Sequence, residues 1–135
     1  MNSDMLYAKN FISKDYTYAV IGASNNPDKY GYKVFANLKE GGYNIIPVNL
    51  KEEYIQGIKA YSSVKDIPVR VNVAVFITPP EATEQVVIDV YEAGIKKVWM
   101  QPRSESEKAI NFCISNGIQC VYNECIMVER RKLGL

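Results

Sequence analysis

Residues Asn72 to Ile77 read NVAVFI, a continuous apolar run rich in β-branched side chains that stops at Thr78-Pro79-Pro80. A strand with one wet face alternates apolar and polar residues. A run without polar members is the pattern of a strand buried on both faces, as in a parallel sheet with helices on either side. Four more short runs share this character: Tyr18 to Gly22 (YAVIG), Asn44 to Val48 (NIIPV), Lys97 to Met100 (KVWM) and Ile118 to Tyr122 (IQCVY). Pro47 lacks a ladder donor and so belongs near the end of its strand.

Helical patterns fill the gaps. The first spans about Tyr32 to Gly41 and stops at Gly41-Gly42. The second spans Glu81 to Ala93, with Val86, Val87, Val90 and Tyr91 at helical spacing and Gly94 as its stop. The third spans Ser104 to Asn116, where Ser104 and Glu107 have capping-box spacing and Asn116-Gly117 closes the element. Strands alternating with helices predict an α/β class: a single Rossmann-like, doubly wound domain of about five parallel strands with helices on both faces. The length of 135 residues suits one domain over 1–135. Residues 1–15 read as an extension with a short helix around Met5 to Ile12, and Glu124 to Leu133 as a C-terminal helix ending in Arg130, Arg131 and Lys132.

Composition narrows the chemistry. Lys plus Arg number 16 and Asp plus Glu 15, so the net charge of +1 provides no broad field toward nucleic acid. Histidine is absent, which removes Ser-His and Cys-His catalysis, histidine-ligated metals and phosphohistidine intermediates. Cys113, Cys120 and Cys125 match no paired zinc or redox spacing, and they read as packing thiols. The odd cysteine count, the N-terminal residues and the lack of a long apolar stretch predict a cytoplasmic protein with no membrane partner.

In such a sheet, ligands bind beyond the carboxyl ends of the strands, where the strand order reverses. The first of those loops, GASNNPDKYG, carries the strongest signal. Gly22 lets a ligand approach the backbone; Ser24, Asn25 and the N–H groups before the helix suit a phosphate, and Lys29 adds a cation. The loop is neither G-x-G-x-x-G nor a Walker sequence. After the second strand, Asn49 stands where a dinucleotide site usually places an acid. Lys51 instead suits a phosphorylated adenosine ribose, favouring NADP or coenzyme A over NAD. Cys125, after the fifth strand, is the one plausible nucleophile, suited to a mixed disulfide with a thiol ligand. Carboxylates such as Glu105 and Glu107 sit in helix first turns, where they complement the dipole.

Taken in order, GAS with the following Pro27 and Lys29, GYNIIPVN at 42–49, VFITPP at 75–80, AGIKKVWMQP at 93–102 and GIQCVYNECIMVE at 117–129 resemble the coenzyme A-binding domain family. These are the small stand-alone relatives of the N-terminal domain of the succinyl-CoA synthetase α subunit. The resemblance implies that Gly22, Ala23, Ser24, Asn25, Asn26 and Lys29 receive the CoA phosphates, with Tyr30 a further cofactor-binding residue beside them. Asn49 and Lys51 would lie near the adenosine 3′-phosphate, and Thr78 and Pro79 would flank adenine or pantetheine. Met100 and Gln101 would complete the wall, with Cys125 beside it. Members usually carry glycine after the Gln-Pro of the fourth loop, where this chain has Arg103, a long cation that either contacts a phosphate or blocks the pocket.

The expectation is therefore a protein that binds CoA or an acyl-CoA without catalysis, since the synthetases' phosphate-carrying histidine lies in a domain this chain lacks. It would act alone, with a protein partner or as a homo-oligomer. The alternatives are an NADP-type oxidoreductase or redox sensor, and a scaffold subunit with an empty pocket.

Overall fold

A computed structural model of the chain describes residues 8–135. In chain order the elements are β1 (Thr17–Ile21), α1 (Tyr30–Glu40), β2 (Asn44–Val48), β3 (Tyr54–Ile55), β4 (Ile58–Lys59), a 3-10 turn (Val64–Asp66), β5 (Val73–Phe76), α2 (Pro80–Glu92), β6 (Lys97–Met100), α3 (Glu107–Ser115), β7 (Gln119–Val121) and α4 (Ile126–Lys132). Five strands form one parallel sheet in the order β2-β1-β5-β6-β7. The α/β, Rossmann-like expectation therefore holds.

Strand alternation divides the core into two layers. Tyr18, Val20, Val73, Val75, Trp99 and Val121 face one side, where α1 contributes Val34, Phe35 and Leu38 and α4 contributes Ile126. Ala19, Ile21, Ala74, Phe76, Val98 and Met100 face the other, against Val87 and Val90 of α2 and Ala109 and Cys113 of α3. Every residue of β5 is buried, which is why its sequence shows no polar period.

The prolines fall where a missing donor costs nothing. β2 is an edge strand, and the Pro47 carbonyl accepts from the Tyr61 N–H at 3.1 Å on its outer side. Its nitrogen therefore faces away from β1 as well. Pro79 and Pro80 occupy the N-cap and first turn of α2, so the pair that ends one strand also begins the next helix.

One sequence expectation is corrected and one element was not foreseen. α3 does not start at Ser104: the capping oxygen is that of Ser106, which accepts from the Ala109 N–H at 3.1 Å, while Ser104 closes a turn onto the Gln101 carbonyl. The β3–β4 hairpin had no counterpart in the sequence reading. Its two-residue turn has Gln56 and Gly57 both at positive φ, and Gln56 is not among the Asn or Asp residues that flag such a turn. The helix expected over 5–12 lies partly outside the described residues; of its span, residues 8 and 9 are helical. β2 and β6 have the expected bounds, and the remaining boundaries differ from expectation by one or two residues, as fraying ends do.

Residues 11–13 are tied to the sheet by one buried hydroxyl. Tyr18, wholly buried, donates to the Phe11 carbonyl at 2.7 Å and accepts from the Ser13 N–H at 2.9 Å. Replacing it removes two bonds and leaves backbone groups unpaired. Tyr18→Phe should lower unfolding stability by about 1–3 kcal/mol in urea titration; an unchanged midpoint would show that this tether is not a stabilising contact.

Candidate functional site

β1 ends at Gly22, whose φ of 98° lies in the region that glycine tolerates. A Cβ on Gly22 would collide with the Ile77 carbonyl, and one on Gly31 would collide with the Gly22 carbonyl. Backbone from the end of β1, the end of β5 and the start of α1 thus meets with no side chain between. The intervening turn holds its own shape: Ser24 Oγ accepts from the Asn26 N–H at 3.0 Å, and Asn26 Oδ1 accepts from the Asp28 N–H at 3.0 Å. α1 opens with no side-chain cap and no acid in its first turn, so the positive end of its dipole is uncompensated.

Above this contact lies a cleft of about 650 Å³. Gly22, Lys29, Tyr30 and Gly31 form one wall, Ile77, Thr78 and Pro79 a second, and Pro102, Arg103 and Ser104 a third. The strand order reverses at β1 and β5, so the cleft opens at the switch point of the sheet. Among the described residues, its charged lining residues are two cations, Lys29 and Arg103. Among the described residues neither side chain has a hydrogen-bond or ion-pair partner. Arg103 adopts a φ of 79°, with its N–H donating to Glu105 Oε1 at 3.2 Å. Left-handed backbone costs a residue with a Cβ about 1–2 kcal/mol, so this arginine is held in place by its loop. Across the cleft, the Thr78 and Thr83 hydroxyls meet at 2.7 Å.

Behind Tyr30 lies a second polar group. Gln101 is buried; its Nε2 donates to the Tyr30 hydroxyl at 2.8 Å and approaches Cys125 Sγ at 3.5 Å, and its Oε1 accepts from the Ile126 N–H at 2.8 Å. The Tyr30 hydroxyl and Cys125 Sγ are 3.2 Å apart. Burial, and then the contact with Cys125, push the Tyr30 hydroxyl well above its ordinary range, so it stays protonated and donates. Burial by itself raises Cys125. The bonds from Tyr30, the Val128 N–H, Gln101 and the Met127 N–H outweigh that effect and hold the thiol below its ordinary value.

Of the residues singled out in the sequence, Gly22, Lys29, Tyr30, Thr78 and Pro79 line the cleft. Gln101 and Cys125 stand behind Tyr30. Ala23 and Met100 are buried in the core, Met100 because alternation along β6 sends it to the α2–α3 face. Asn25 clasps the hairpin, donating to the Tyr54 carbonyl and accepting from the Gln56 N–H, both at 2.8 Å. Ser24 and Asn26 shape the turn. Asn49 joins the first two loops, donating to the Ala23 carbonyl at 3.0 Å and accepting from the Lys51 N–H at 2.8 Å, with Lys51 exposed beyond it. Gly31, Ile77, Pro102 and Ser104 were not picked out as site residues. The glycine nine positions after Gly22 and the Gln-Pro pair were their available signals.

An open parallel sheet with a cleft at its switch point, lined by Lys29 and Arg103, defines an α/β domain of the doubly wound class. A model of the CoA binding domain matches residues 16–131, and the chain belongs to that family. It is 52% identical over 128 residues to the α subunit of ADP-forming acetate–CoA ligase II of Pyrococcus furiosus, covering 87% of this chain and 28% of that protein. It therefore spans little more than a quarter of that relative's length. Two solved structures are similar along nearly their whole length. A hypothetical protein from Pyrococcus horikoshii superposes with a TM-score of 0.90 at 32% identity, covering 98% of this chain and 92% of that one. A conserved hypothetical protein from P. furiosus does so with a TM-score of 0.82 at 41% identity, covering 84% and 98%.

Two outcomes follow from this geometry. Gly31→Ala drives a methyl group into the Gly22 carbonyl and should destabilise the fold by about 1–3 kcal/mol in denaturant titration; unchanged stability would mean that the backbone contact relaxes freely. Because the folded value of Cys125 is depressed, its thiolate stabilises the fold fully above the unfolded thiol's value of about 8.5, and that contribution is lost as pH falls through the folded value. Alkylation of Cys125 followed by peptide mass spectrometry should show a midpoint below that of the same thiol in the unfolded chain, moving upward in Tyr30→Phe. A midpoint indifferent to Tyr30 would remove the hydroxyl from this role.

Proposed function

We propose that the cleft binds coenzyme A or an acyl-CoA and that the chain makes and breaks no bonds by itself. The observation that carries this reading is the pair of cations, Lys29 and Arg103, that line the cleft without a side-chain partner or a lining carboxylate among the described residues. A diphosphate suits them: two fixed cations, glycines that admit close backbone approach, and the open N-terminus of α1 all favour phosphoryl oxygens. Thr78 and Pro79 flank the adenine or pantetheine, while Asn49 and Lys51 serve the adenosine 3′-phosphate. The chain has no histidine, and the cleft walls hold no acid–base pair, which favours binding over catalysis.

The ligase relative is more than three times longer than the matching segment. On this reading, any ligase-like chemistry requires a partner protein, and a second copy of the chain is the other candidate. Free thiols at Cys113, Cys120 and Cys125 suit a reducing, cytoplasmic setting. No helix among the described residues is long and apolar enough to cross a membrane.

Thermal unfolding with CoA, 3′-dephospho-CoA, NADP and NAD at matched concentrations tests the proposal. A ligand at 100 times its Kd adds about 2.7 kcal/mol and raises Tm by several degrees. CoA should stabilise most, Lys29→Ala should remove most of the shift, and Lys51→Ala should erase only the difference between CoA and its dephospho form. A shift with NADP alone would favour an oxidoreductase or redox sensor, and no shift with any of them would favour an empty scaffold.

A further inference from the structure

Cys113 and Cys120 are seven residues apart in sequence, a spacing with no redox meaning, yet the fold brings them together on the face of the sheet opposite Cys125. Cys113 lies on the buried side of α3, and its carbonyl accepts from the Ile118 N–H at 2.9 Å, which turns the chain back under the helix into β7. Alternation along the strand then sends Ile118 and Cys120 to the same face, toward α3, with Cys120 level with Val98 of β6. Cys113 and Cys120 pack in one apolar cluster, and both thiols are free.

Their surroundings differ in access. Cys113 is wholly buried, whereas Cys120 also lines a surface groove of about 390 Å³ with Ile110, Ile114, Gly117 and Tyr122. A small solute in that groove reaches Cys120, with Cys113 in the buried cluster behind it. The thiols also act on each other: donation from Cys120 lowers the Cys113 thiol below its ordinary value, while the same pairing and burial raise Cys120. The pair therefore gives up its first proton more readily than a buried thiol standing alone.

We infer that Cys113 and Cys120 are a redox-active dithiol, a modification site separate from the cleft, which a peroxide converts to an intramolecular disulfide between α3 and β7. One thiolate attacks a peroxide oxygen; the O–O bond breaks, a sulfenic acid forms and water leaves. The second sulfur attacks the sulfenic sulfur, the S–O bond breaks, the S–S bond forms and a second water leaves. Two electrons pass from sulfur to peroxide, and the two thiol protons end in water. Cys125, across the sheet and held by Tyr30 and Gln101, takes no part.

The test treats the full chain with equimolar hydrogen peroxide and blocks remaining thiols with N-ethylmaleimide in denaturant. Intact-mass and peptide mass spectrometry follow. The expected product is monomeric, about 2 Da lighter before labelling, carries one adduct on Cys125 instead of three, and yields a peptide joining Cys113 to Cys120; dithiothreitol restores three adducts. Cys120→Ala, at the half-buried position, should abolish the mass loss while keeping the native fold by circular dichroism, and Cys113→Ser should do the same if it folds. Three adducts after peroxide, a bridge to Cys125 or between chains, or sulfinic acid without a bridge would each overturn the inference.

Discussion

The structure depends on a three-way backbone contact in which the ends of β1 and β5 and the start of α1 touch with no Cβ between them. Gly22 and Gly31 permit it: a side chain on either would strike the carbonyl of Ile77 or of Gly22. Close packing of main chain here aims the first turn of α1 at the space above β5, and the cleft exists because that turn is so near. Interiors packed at crystal-like density transmit such a constraint instead of absorbing it. The position of Lys29 and Tyr30 on one wall and Thr78 and Pro79 on the next follows from those two residues.

The second determinant is electrostatic. Among the described residues, Lys29 and Arg103 line the cleft without side-chain partners, beside a helix N-terminus that has no side-chain cap. Unpaired cations around a concavity raise its potential, and partial exclusion of water strengthens their effect on an anion. Arg103 holds a left-handed backbone conformation to be there. A strained conformer retained beside a binding concavity is commonly tied to the site's work, and here the strained residue is one of the two cations.

Behind the cleft, Gln101 uses both ends of its amide, holding the Tyr30 hydroxyl and the first N–H of α4 while approaching Cys125. A buried amide satisfied on both sides orders its partners. It couples a wall residue to the loop after β7, so that the C-terminal helix and the cleft share one hydrogen-bonded link.

Much of this was legible in the chain itself. The unbroken apolar run of β5 identified a strand buried on both faces, and the alternation of strands with helices of about three turns led directly to the parallel doubly wound sheet, because local period and propensity act before any tertiary contact forms. Of the residues lining the cleft, Gly22 and Lys29 were singled out from the chemistry of the first loop, and Tyr30, Thr78 and Pro79 through the family resemblance. Tertiary structure decided the rest. It chose Ser106 over Ser104 as the cap of α3, since Ser104 is engaged in the turn after Gln101; it made a hairpin of residues 54–59, since Asn25 clasps it from elsewhere in the chain and Gln56 in its turn reaches back to the Ser24 and Tyr32 carbonyls. It also turned Asn25 and Asn49 into loop ties and set Cys113 beside Cys120. Such pairings depend on which backbone groups meet across long sequence separations, and a local pattern of residues carries no record of that.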